Sequence, residues 1–138
     1  MVLIKKGRFD FGDLIIVLLT ILVLYFFIDT NVKLFNDREE VKGDHLITTG
    51  WIVDYRKIGT SMTPKLTYNY YVKWRLYSRK MSPTVDFSEC IKDFSKCEKK
   101  RFRVLYSKSH PYKSLIDLRK AMRDSSDIKL PIYLNDFE

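Results

Sequence analysis

Alanine occurs once in this 138-residue chain, at Ala121, and glycine only five times. So little alanine disfavours a helical architecture, and nine Tyr with nine Phe favour strands. Gly7, Gly12, Gly43, Gly50 and Gly59 form neither a GxGxxG nor a GxxxxGK phosphate loop, so no nucleotide site is expected. Histidine is confined to His45 and His110, and cysteine to Cys90 and Cys97. With no second Cys pair, these cannot supply the ligand pattern of a structural zinc. Ser109 and His110 are adjacent in sequence, which does not by itself bring a hydroxyl to an imidazole. No catalytic, metal or cofactor residue is assigned. The chain is read as a non-enzyme with no small-molecule substrate.

What is present begins with Leu14 to Ile28, LIIVLLTILVLYFFI, interrupted only by Thr20. It is apolar on every side of a helix, so no face is left for water. As a helix it rises about 22 Å, against about 30 Å of bilayer hydrocarbon. Phe9 and Phe11 before it, and Tyr25 to Phe27 at its end, can lengthen the span as interfacial aromatics. A cleavable signal needs small residues before its cut, and Tyr25 to Ile28 offer none. The remaining chain is too short to bury such a helix in a soluble core. The expected organisation is a flank (1–13), a transmembrane helix (14–28), a juxtamembrane linker or short helix (29–45) and a small β-rich domain (46–138).

Lys5, Lys6 and Arg8 precede the span, while Lys33, Arg38 and Lys42 follow it, so the count is tied. The leading cluster is closer to the span, which favours a signal anchor with its C-terminal domain outside the cytoplasm. Cys90 and Cys97 fit that location as a disulfide, with two free cytosolic thiols as the alternative.

Beyond the linker, Trp51, Val53 and Tyr55 alternate with Ile52, Asp54 and Arg56, and GTSMTPK supplies a turn at Gly59, Ser61 and Pro64. From Leu66 to Tyr77 one parity reads Leu66, Tyr68, Tyr70, Val72, Trp74, Leu76, which predicts one long strand with a buried face. A hairpin of 50–58 with 66–77 follows. The aromatic row is read as core rather than as a platform for nucleic-acid bases. Residues Met81 to Lys100 suggest a weak strand and a loop. RFRVLYS makes another strand, Phe102, Val104 and Tyr106 against a basic outer face that includes Arg103. SLIDL is a short strand or the start of a helix reaching Met122. In the tail, Pro131 restricts IKLPIYLNDF to an edge or a non-strand role. The fold class is therefore mainly β: a single transmembrane helix, then an antiparallel β-meander or partly open barrel, with one short helix allowed near the C-terminus.

Gly50, Ile52 and Gly59 of a GxIxxxxxxG hairpin, Tyr68, Tyr70 and Val72 of a YxYxV strand, and Val104, Tyr106, Ser107 and Pro111 of a VxYSxxxP segment form a pattern. With the anchor before it, that pattern resembles small bacterial membrane proteins of unknown function, over residues 48–118. The resemblance implies a membrane-tethered β-domain and no reaction. The cysteine loop and the extension after Leu118 depart from it.

The formal charge of +8 is first a solvated lysine-rich surface, and only second a sign of an anionic partner. Two functions are carried forward. One is an interaction module in the bacterial inner membrane, an accessory subunit that docks another envelope protein through a sheet edge or the cysteine loop; an immunity protein against a membrane-acting toxin belongs to the same class. The other is a lipid-surface or regulatory module in which Lys92, Lys96, Lys99, Lys100, Arg101, Arg103 and Lys108 meet anionic headgroups. Membrane lipid is the expected partner in both, and nucleic acid in neither.

Overall fold

The computed structural model describes residues 11–59 and 62–138. The sequence assignments for Lys5, Lys6, Arg8, Phe9 and Ser61 lie outside the described residues. The chain divides between Asn36 and Asp37 into two compact units.

The first unit is helical. Helix α1 spans Phe11–Gly43, and no glycine or proline interrupts it between Gly12 and Gly43. An 18-residue window reaches a mean hydropathy of 2.7, long and apolar enough to cross a membrane. Every residue from Leu14 to Ile28 is exposed, so this is not a buried core helix. The apolar surface is also longer than the sequence run suggests, since exposed Phe11, Val32, Leu34 and Phe35 extend it at both ends. Three of its polar side chains bond back to the helix itself. Thr20 Oγ1 donates to the Ile16 carbonyl at 2.8 Å, Thr30 Oγ1 to Phe26 at 2.9 Å and Asn31 Nδ2 to Phe27 at 2.7 Å. Such back-bonding leaves those donors needing no water. The residues from Asp29 onward, read as a linker or short helix, continue α1 to Gly43.

The second unit, Asp37–Glu138, is a curled five-stranded half-barrel. Its strands are β1 (His45–Ile58), β2 (Thr63–Val72), β3 (Arg75–Met81), β4 (Phe102–Ser107) and β5 (Ser114–Ile116), all antiparallel in the order β3-β2-β1-β4-β5. Ile52, Tyr55, Leu66, Tyr68, Tyr70, Phe102, Val104 and Ile116 form the larger core on one face of the sheet. Gly50 is required there: a Cβ would lie 2.5 Å from Val104 Cγ2 and 3.1 Å from the Asn69 carbonyl oxygen. A smaller core on the opposite face joins Val41 from the end of α1 to Leu105, Leu115 and Phe137.

Three sequence assignments change. A bulge between Ile52 and Asp54 opposes two residues of β1 to one of β2, so Ile52 and Tyr55 share the buried face while Val53 is exposed. The long strand 66–77 is two strands. The chain reverses at Lys73 and Trp74, both left-handed (φ 47° and 71°), and Val72 pairs with Arg75. That two-residue turn inverts the face parity, so Tyr77 packs inward while Leu76 is exposed and Trp74 is 98% exposed. Finally, Met81 to Lys100 holds no further strand beyond the end of β3. It forms α2 (Ser88–Lys92) and α3 (Ser95–Glu98), and Phe87, Cys90 and Cys97 of this segment join the larger core.

After β5 come two 3-10 turns, Ser125–Lys129 and Leu134–Asp136. The tail then returns to the sheet. Glu138 exchanges backbone hydrogen bonds with Ile116 at 2.9 and 3.0 Å, which covers the edge of β5. The Glu138 carboxylate accepts from the Thr84 backbone N–H at 3.1 Å, tying the tail to the segment that follows β3.

Candidate functional site

Cys90 and Cys97 are joined as a disulfide, with Cα atoms 5.7 Å apart, and both are buried. The bridge fastens α2 to α3 and seats that crossover against Phe102. A cavity of about 300 Å³ opens beside it, lined by Asp86, Glu89, Lys100 and Arg119 among others. Among the described residues no group of three or more His, Cys, Asp or Glu is placed to hold a metal ion.

The seven basic residues of the lipid reading do not form one surface. Lys92, Lys96, Lys99 and Lys100 are exposed on the crossover. Arg101 lies over the Trp51 ring at 5.6 Å and donates to the Glu98 carbonyl at 2.8 Å. Lys108 sits at the opposite end of β4, about 23 Å away at the rise of an extended strand. Arg103 is inside the protein. Its Nη2 lies 3.2 Å from Asp117 Oδ2, with the two side chains 6% and 3% exposed. Its Nη1 donates to the carbonyls of Leu130 at 3.0 Å and Pro131 at 3.2 Å, and the guanidinium stacks over Phe137 at 5.5 Å. The tail covers the outer face of β4, where alternation suggested solvent. Arg103 is therefore a structural cation that holds the tail.

A polar cluster that the sequence did not reveal surrounds Glu40. Its Oε1 accepts from His110 Nδ1 at 2.5 Å and from Ser107 Oγ at 2.8 Å, and its Oε2 meets Lys113 Nζ at 2.6 Å. Lys113 also reaches Asp37 Oδ1 at 3.0 Å. These donors, Lys113 first, then His110 and Ser107, hold the Glu40 carboxyl down at about 2. The paired carboxylates push the Lys113 ammonium above its ordinary range, Glu40 contributing most and Asp37 next. Ser109 Oγ approaches Glu40 Oε1 at 3.5 Å and Ser107 Oγ at 3.4 Å. The cluster fastens residues 37–43 of α1 to the β4–β5 turn, and Val41 buries its side chain beside it.

The register gathers a second group at one end of the sheet. Gly50 pairs with Tyr70, and Thr48 Oγ1 donates to the Tyr71 carbonyl at 3.0 Å, so the β2–β3 turn falls beside the start of β1. His45 pairs with Ser107, which puts the Lys108–Lys113 turn at that same end. Tyr70 ties the two turns together by donating its hydroxyl to the Pro111 carbonyl at 2.7 Å. Trp74, Tyr71, Leu76, Tyr112 and Leu46 are exposed here, with Lys73, Arg75 and Lys108 among them. Sequence patterning placed Trp74 and Leu76 in the core, because no Gly, Asn or Pro marks the reversal.

No protein-family model, no curated protein and no solved structure matches this chain.

Proposed function

We propose that this chain is a single-pass, membrane-anchored interaction module without catalytic function, an accessory subunit of a bacterial envelope complex. One observation carries the reading: a helix long and apolar enough to cross a membrane, exposed along its whole apolar run, is joined to a compact β unit. Exposing so much apolar surface to water is strongly unfavourable, whereas lipid accepts it without cost. The three back-bonded polar side chains on α1 fit the same solvent. Placement of the β unit on the outer side of the inner membrane is supported by the basic cluster before the span and by the closed Cys90–Cys97 pair. The bacterial setting rests on the resemblance stated above. The outer edge of β3, which pairs with no strand among the described residues, and the exposed aromatic end of the sheet are the surfaces on which a partner would act.

The test is gentle cross-linking of membranes holding the full chain, followed by detergent extraction. The reading expects a discrete cross-linked species with another envelope protein. Recovery of the chain only as a monomer refutes the accessory-subunit role.

A further inference from the structure

We propose that the sheet end formed by the Lys73–Trp74 turn and the Lys108–Lys113 turn is a contact surface for anionic lipid headgroups. The proposal rests on the membrane-anchor part of the function above and assigns a surface that the anchor alone does not specify.

Three independent observations support it. First, Trp74 is 98% exposed at the tip of a two-residue turn, and both turn residues are left-handed. Glycine, asparagine or aspartate normally fill such positions, because the Cβ of other residues crowds the following carbonyl in this conformation. Here the turn presents an indole to the outside, with no solubility benefit. Tryptophan at a lipid interface keeps its apolar ring among headgroups and acyl carbons and its N–H in water.

Second, the charge pattern suits anionic headgroups. Lys73 and Arg75 flank Trp74, Lys108 lies in the neighbouring turn, and all three are exposed. Arg75 lies over the Tyr77 ring at 5.6 Å and remains exposed. Of the acidic groups near this end, Asp37 and Glu40 share the single ammonium of Lys113, which balances one of their two charges, and Glu39 and Asp44 are exposed. With Arg38 and Lys42 counted as well as Lys113, the six cations of this end outnumber its four carboxylates by two, and that net positive charge favours an anionic leaflet.

Third, the location fits. This is the sheet end at which β1 starts, directly after the last turn of α1. Only eight residues, Asp29 to Asn36, separate the apolar run from the β unit. Even fully extended they reach no more than about 28 Å, which bounds the length of chain between the apolar run and this surface.

The chain has two tryptophans, so Trp51→Phe leaves Trp74 as the sole indole reporter. The full-length variant is reconstituted into phosphatidylcholine vesicles with and without phosphatidylglycerol. Its emission and its quenching by brominated lipid and by aqueous acrylamide are then read. The expected result is a shift to shorter wavelength with brominated-lipid quenching, stronger with phosphatidylglycerol and weakened in 1 M salt, where the Debye length falls to about 3 Å. Arg75→Glu with Lys108→Glu should abolish the phosphatidylglycerol dependence while leaving the chain in the bilayer. A long-wavelength Trp74, open to acrylamide in a chain that stays integrated, overturns the headgroup contact and leaves the anchor standing. A chain that does not integrate removes the anchor and the contact together. Shielding of Trp74 in native membranes but not in vesicles overturns the lipid assignment in favour of a protein partner.

Discussion

Replacing Asp117 with alanine strips the counter-charge from Arg103, whose side chain is only 6% exposed. The guanidinium would keep two backbone carbonyls and the Phe137 ring, but no anion. Removing one partner of a buried ion pair typically costs about 3–5 kcal/mol, because the remaining charge stays desolvated. Against a total domain stability of about 5–15 kcal/mol, that is a large fraction. At roughly 4–8 °C per kcal/mol for a domain near this size, melting should fall by on the order of 15–30 °C. The assay is thermal and urea unfolding of the full chain in detergent, followed by near-ultraviolet circular dichroism. The double variant Arg103→Met with Asp117→Leu should recover most of the loss, since apolar side chains of similar volume fill the site without burying a charge. A loss below about 1 kcal/mol for Asp117→Ala, the value of an exposed pair, would refute the assignment of Arg103 as a buried structural cation.

Gly50→Ala drives a methyl against Val104 Cγ2 and the Asn69 carbonyl, and should cost about 1–3 kcal/mol by urea unfolding. In a double-mutant cycle, Val104→Ala should offset part of that cost; strict additivity would mean that the two positions do not meet. For Glu40 the sign follows from a carboxyl held at about 2 against an ordinary 4.5. Its contribution is present above pH 4.5 and is lost as pH falls toward about 2. Glu40→Gln should therefore lower stability at pH 6, and the difference from the unaltered chain should close on acidification; a difference independent of pH between 6 and 2 would contradict the cluster.

The long apolar helix and the β class were legible in the sequence because both depend on period and composition. Leu14 to Ile28 has no polar face, and Leu66, Tyr68, Tyr70 and Val72 alternate cleanly and are buried. The misread positions share a cause: their environment is set by residues distant in sequence or by unmarked turns. Trp74 and Leu76 continue the same alternation, yet a reversal lacking Gly, Asn or Pro turns them outward. Arg103 alternates like a surface residue until the C-terminal tail, anchored by Phe137 and Glu138, covers that face. The Glu40 cluster unites side chains 67 to 73 positions apart, with no local pattern to announce it. The crossover of Met81 to Lys100 was obscure because its order comes from burying Phe87, Cys90 and Cys97 rather than from propensity.

Alkaline carbonate extraction of cell membranes tests the central claim most directly. The full chain is expected to stay in the membrane pellet at its full-length mass and to leave only with detergent. Release into the carbonate supernatant, or recovery of a shortened chain starting beyond Ile28, would contradict an uncleaved membrane anchor.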